Sequence, residues 1–232
     1  MANSIIIGVT EVCQRHGRVI VLEDDLVTSR YFLRYMNEAL DLYEDQPHVI
    51  SIHGYVYPGR EPLPETFLLK GADCWGWATW RRGWDLFRPN GAALLEELER
   101  TDLIHEFDFD GAFPYSQMLR DQIKGRNDSW AIRWYASAFL SNKLTLYPGR
   151  SLVHNIGNDS SGIHCEPSNS FDVEVSNTSV HLQKLAPQQN VKARAVFMRQ
   201  LRGLQQSKTS ELPRPFTKLL QSCRRITKRG RS

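Results

Sequence analysis

The chain has 232 residues, 41% of them apolar and 24% charged, with a net charge of +3. That is enough apolar material for a buried core, and it excludes a wholly disordered chain. No run approaches the ~18 apolar residues of a membrane span, and Met1–Ser4 carry no charged stretch of the kind that opens a secretory leader. Four cysteines (Cys13, Cys74, Cys165, Cys223) form no C-x-x-C pair. This disfavours a zinc ribbon or dithiol motif and predicts free thiols in a reducing, cytoplasmic setting. The charge is uneven. Residues 184–232 hold 13 Lys/Arg and one acid, a net +12, whereas residues 1–183 carry −9. The division predicts an acidic domain over 1–183 and a basic C-terminal extension over 184–232, helical in part.

In chain order, Ser4–His16 reads as a helix, with Ile5, Val9, Val12 and Cys13 at helical spacing and Gly17 closing it. Arg18–Leu22 is a β-branched apolar run, expected as a strand buried on both faces of a mostly parallel sheet. Ser29 is a candidate cap for a helix through Phe32, Leu33, Met36, Leu40 and Tyr43. Val49–Ile52 reads as a second buried strand, residues 55–66 as a Pro/Gly loop and Thr66–Leu69 as an edge strand. Residues 92–105 and Asp128–Leu140 read as helices, Leu144–Tyr147 as a strand, 155–170 as a polar loop and 187–206 as a helix. Alternation of helix and strand predicts an α/β fold.

The first apolar strand runs into Glu23-Asp24-Asp25. Ligands of open α/β sheets lie at the carboxyl ends of strands. Carboxylates there can hold a hard divalent cation, which offsets their mutual repulsion. The plainer reading is acidic charge placed near a helix start, where the helix dipole favours it. Residues 74–84 hold Trp75, Trp77, Trp80 and Trp84. Such a cluster is either core or an aromatic platform for a sugar.

The segment Val19-Ile-Val-Leu-Glu-Asp-Asp-Leu26, with Phe32, Tyr35 and Met36 behind it, resembles the metal-binding segment of the N-acetylglucosaminyltransferase I family. Cys74-Trp-Gly-Trp-Ala-Thr-Trp80, Ser129-Trp-Ala-Ile-Arg-Trp134 and Asn155-Ile-Gly157 are similar to segments of its bacterial sugar-transferase relatives, and the resemblance spans residues 4–165. It implies a GT-A-like fold and inverting transfer from a nucleotide-diphosphate sugar to a glycan or lipid-linked saccharide, aided by Mn²⁺ or Mg²⁺. By the same resemblance, Asp25 holds the metal, Glu23 and Asp24 contact the donor, and Trp77 lies on the acceptor side. Gly157, Ser161 and His164 belong to a loop over the donor. His164 is a candidate second metal ligand or phosphate contact. Asp128, just before Trp130, is the candidate catalytic base, with a helix cap as its structural alternative. The animal enzyme's base lies between the two tryptophans, where this chain has Ala131, Ile132 and Arg133. Asp110 and Asp121 are weaker candidates, as are His154, Arg133 and Arg150 for metal or phosphate contacts.

The family's nucleotide-binding front needs two further strand–helix units, on the order of 60–100 residues, upstream of the acids. Here 22 residues precede Glu23. This predicts an N-terminally truncated sheet and weak donor binding by the chain alone, with an inactive or partner-dependent acceptor-binding fragment as the alternative. A metal-dependent phosphoryl-transfer enzyme is a further rival, one that leaves the tryptophans unused. In the tail, Phe216, Leu219, Leu220, Cys223 and Ile226 mark one face among basic residues, a pattern suited to peripheral contact with an anionic membrane. A solvated terminus is the plain alternative. Nucleic-acid binding is disfavoured, because no aromatic interleaving or known module is present.

Overall fold

The computed structural model describes residues 2–157 and 169–210. Helix α1 (Ala2–His16) ends at Gly17, whose φ of +78° suits glycine and closes the helix through a hydrogen bond to the Cys13 carbonyl. There follow β1 (Arg18–Val21), β2 (Leu26–Thr28), α2 (Phe32–Leu42), β3 (Val49–His53), β4 (Thr66–Lys70) and β5 (Trp77–Trp80). Next come α3 (Arg81–Trp84), α4 (Gly91–Arg100), α5 (Ile104–Phe107), α6 (Tyr115–Ile123) and α7 (Trp130–Leu140). The chain continues with β6 (Leu144–Pro148), β7 (Val153–Asn155), a single 3₁₀ turn (Asn169–Phe171) and α8 (Val191–Ser210).

The α/β class holds. The main sheet runs β1-β5-β3-β6-β4, and β2 pairs with β7 in a separate two-stranded sheet. Only β3 and β6 are parallel; β1·β5, β5·β3 and β6·β4 are antiparallel. The sheet is therefore mixed rather than mostly parallel. The buried apolar run Val49–Ile52 marks a central strand correctly, but burial on both faces does not set strand direction. Nor is β1 a central strand: it lies at one end of the sheet, and three of its four residues are half-buried. β4 forms the other end, as expected of Thr66–Leu69.

Alternation along the strands feeds both faces of the sheet. Leu68 packs with Phe32, Met36 and Leu40 of α2, while its neighbours Phe67 and Leu69 pack with α4, α6 and α7. Helix α7 is buried at nine of its eleven positions, including Trp130, Trp134 and Phe139. A helix apolar around its whole circumference belongs inside a core. Its cap is Ser129, which accepts from the Ile132 amide at 3.2 Å. Ser29 does not cap α2 by its side chain. It forms a turn one step earlier, accepting from the Tyr31 amide, and Leu33 of that helix faces solvent.

Helix α8 buries Ala193, Phe197, Leu201 and Leu204 in the same cluster as α4–α7. Arg194 clamps Asp110 through two hydrogen bonds of 2.7 and 2.8 Å. The core thus continues past the expected boundary at 183/184: Lys192, Arg199 and Arg202 are exposed on this helix, and their charge hides its apolar stripe from a charge count. The amphipathic segment 216–226 lies outside the described residues. No described helix is long and apolar enough to cross a membrane.

Candidate functional site

Glu23-Asp24-Asp25 form the turn between β1 and β2. Burial, reinforced by the Asp25 and Asp24 charges, pushes the Glu23 carboxyl above its ordinary value. Asp24 is exposed. Asp25 is held from the side by β7: its carbonyl accepts from the Ile156 amide at 2.8 Å, and its Oδ2 lies 3.4 Å from Asn155 Nδ2. Asn155 in turn receives the Gly157 amide on Oδ1. A Cβ at Gly157 would stand 2.4 Å from Asp25 Oδ2, so glycine is what lets this strand lie against the carboxylate. The other oxygen, Asp25 Oδ1, is buried and has no hydrogen-bond partner among the described residues. An unmet carboxylate oxygen away from water is costly, and a cation would relieve it.

Among the described residues no three His, Cys, Asp or Glu side chains converge as a metal cage. Mg²⁺-type sites take one or two protein carboxylates and complete their shell with water and substrate phosphates. The orphaned Asp25 oxygen beside Glu23 fits such a partial site. Ser161 and His164 lie outside the described residues.

A second feature adjoins the acids. A cavity of about 250 Å³ opens among β-strand ends, α6, α7 and α8. Nine of its lining residues are aromatic, among them Tyr57, Trp75, Tyr115, Tyr147 and Phe197. Its one lining carboxylate among the described residues is Asp73, beside Cys74. The two features meet at Cys74, whose thiol is pushed well up by burial and then by the Asp73, Glu23 and Asp25 carboxylates. Asp73 receives the Cys74 amide on Oδ1 at 2.9 Å, and its Oδ2 lies 3.6 Å from Nε2 of His53. His53 is fully buried, and burial holds its pKa below the ordinary value even though Asp73 pulls the other way. Sequence reading missed both residues. The signal for Asp73 was a lone acid set between Gly71 and Gly76, two positive-φ glycines at the head of the tryptophan run.

Trp77 needs correction. It is 0% exposed and packs against Trp84, Trp130 and Trp134, so it presents no surface to an acceptor. Gly76, at a positive φ, lets the chain pass close to Val153 and Phe32. Trp75, two residues earlier, is the indole in the cavity wall.

Asp128 is not the cap of α7. Its side chain is 74% exposed, 4.0 Å from Arg133, and it directly precedes Ser129, which lines the cavity. It therefore stands beside the cavity rather than inside it. The weaker candidates are engaged elsewhere. Asp110 is clamped by Arg194 and Asp121 by Arg126. Arg150 binds Glu65, and Arg133 donates to the Ser129 and Pro89 carbonyls. His154 Nδ1 accepts from the Val173 amide.

No family model and no curated protein matches the sequence.

Proposed function

We propose that the chain is a metal-dependent glycosyltransferase, moving a sugar from a nucleotide-diphosphate donor to a saccharide acceptor with inversion. The observation that carries this reading is the orphaned, buried Asp25 Oδ1 in an acidic turn at a strand end, one side chain (Cys74) away from an aromatic cavity. It joins the sequence resemblance over residues 4–165. Asp25 would hold Mn²⁺ or Mg²⁺, and Glu23 would share its charge. A bound cation supplies Lewis-acid stabilisation to a departing diphosphate. Asn155 and Gly157 keep the Asp25 carboxylate in place. Asp128, exposed beside the cavity, is free to accept a proton from an acceptor hydroxyl that enters there. A phosphoryl-transfer enzyme would need the same acids and would leave the aromatic cavity without a role.

The test is calorimetric titration of the chain with uridine, guanosine, cytidine and thymidine diphosphates, with and without Mn²⁺. At least one should bind only when metal is present, and Asp25→Asn should weaken it tenfold or more. Gly157→Ala, which forces the carboxylate aside, should do the same while the fold persists. Binding that ignores metal, or is absent throughout, sinks the reading. Transfer from the matching nucleotide sugar is the next assay.

A further inference from the structure

The charge pattern of the aromatic cavity bears on which saccharide it takes. Asp73 is the only charged group among its described lining residues; no Lys or Arg joins it. His53, the neighbour of Asp73 at 3.6 Å, is fully buried with neither ring nitrogen hydrogen-bonded. The Cys74 amide occupies Oδ1, which fixes the carboxylate's orientation. Glu23 and Asp25 lie close enough to act on the neighbouring Cys74 thiol, so their charge adds to that of Asp73 at this end of the cavity. The walls are aromatic faces, and Trp75 is held edge-on by Tyr55 and Phe171 at 4.7 and 5.6 Å between centroids. Aromatic faces carry negative quadrupole density, which favours C–H edges and cations and disfavours anions. A low-dielectric cavity strengthens each of these preferences.

We propose that this cavity is the acceptor subsite and is selective by charge: it takes a neutral or amino-bearing sugar ring, whose hydroxyl or ammonium hydrogens Asp73 accepts, and rejects an acidic sugar such as a uronate. Asp73 is the specificity-determining residue. The Cys74 amide is its positioning group. The choice of saccharides as the ligand class rests on the glycosyltransferase reading; the charge order does not.

The experiment is titration of the full chain, without nucleotide or metal, with methyl β-glucoside, methyl β-glucosaminide and methyl β-glucuronide, followed by saturation-transfer difference NMR. The glucoside and glucosaminide should bind, and the glucuronide should bind at least tenfold more weakly than either. In Asp73→Asn the gap between glucosaminide and glucuronide should close at least threefold. Three results would each overturn the proposal: a glucuronide that binds as well as the glucoside, no binding by any glycoside, or a charge order unmoved in Asp73→Asn. The wild-type order decides the matter even if the variant fails to fold. Metal-dependent nucleotide binding is read in a separate titration. Its absence would remove the donor reading and leave the charge order standing, and its presence would not rescue a cavity that ignores charge.

Discussion

Two aromatic regions of this molecule are built from the same residue types and end up opposite in kind. Around Trp77, the rings of Trp84, Trp130 and Trp134 lie 5.4–5.9 Å from its centroid, and no space is left. Around Trp75, the rings of Tyr55 and Phe171 meet it edge-on, and the remaining aromatics stand back to leave a cavity. In the first region α7 drives two indoles into the sheet. In the second, Gly71 at a φ of +101° lets the chain pass close against the Tyr135 ring, and Asp73 lines the gap that remains. Aromatic density alone therefore does not mark a binding surface. On the proposed reading, what marks it is a carboxylate and a gap among the rings.

If this contrast is right, substitutions in the two regions should separate stability from binding. Trp134→Ala removes a fully buried ring and should cost about 3–5 kcal/mol in a urea unfolding titration. A loss below about 1 kcal/mol would mean the solid cluster is not solid. Gly71→Ala should cost about 2 kcal/mol, because a Cβ there would stand 2.3 Å from Tyr135 Cε2 on a positive-φ backbone. It should also narrow the cavity, so glycoside binding and stability should fall together. Trp75→Ala should cost only about 1 kcal/mol, yet abolish glycoside binding. Equal stability losses in Trp75→Ala and Trp134→Ala would erase the distinction.

The smallest effect is a slope with pH. The folded state raises the pKa of Glu23 above 4.5, so it holds that proton more tightly than the unfolded chain does. Stability should therefore fall as pH rises from about the unfolded carboxylate value through the raised one. Glu23→Gln should flatten that slope and leave the protein more stable at neutral pH. A steeper slope in the variant would show that Glu23 is stabilised by a partner rather than strained by burial.

Much of the scaffold was legible from periodicity. The runs Val49–Ile52 and Leu144–Tyr147 and the helical face of Phe32, Met36 and Leu40 each became the expected element. Strand direction was not legible, since β5 threads between β1 and β3 antiparallel to both and no local pattern encodes that. Helix α6 escaped because its buried positions, Ser116 and Leu119, make too short a stripe. At the site, the acids at the end of β1 stood out because like charges rarely cluster without cause. Asp73 and His53 did not, since a single acid and a single buried histidine look like ordinary residues until the fold brings them together. Trp77 was misjudged for a physical reason: sequence shows that an indole is present, but only packing shows whether its face is open.

The wall supplied by α8 has a consequence for timing. Phe197 lies about 140 residues after Tyr57 along the chain, and both line the same cavity. During synthesis the chain emerges from the N-terminus at about 5–20 residues per second. The acidic turn and the tryptophan cluster around α7 are thus available well before the cavity can close. The pocket closes only once α8 has been made, and no ligand that needs all its walls can assist the folding of what comes before that helix.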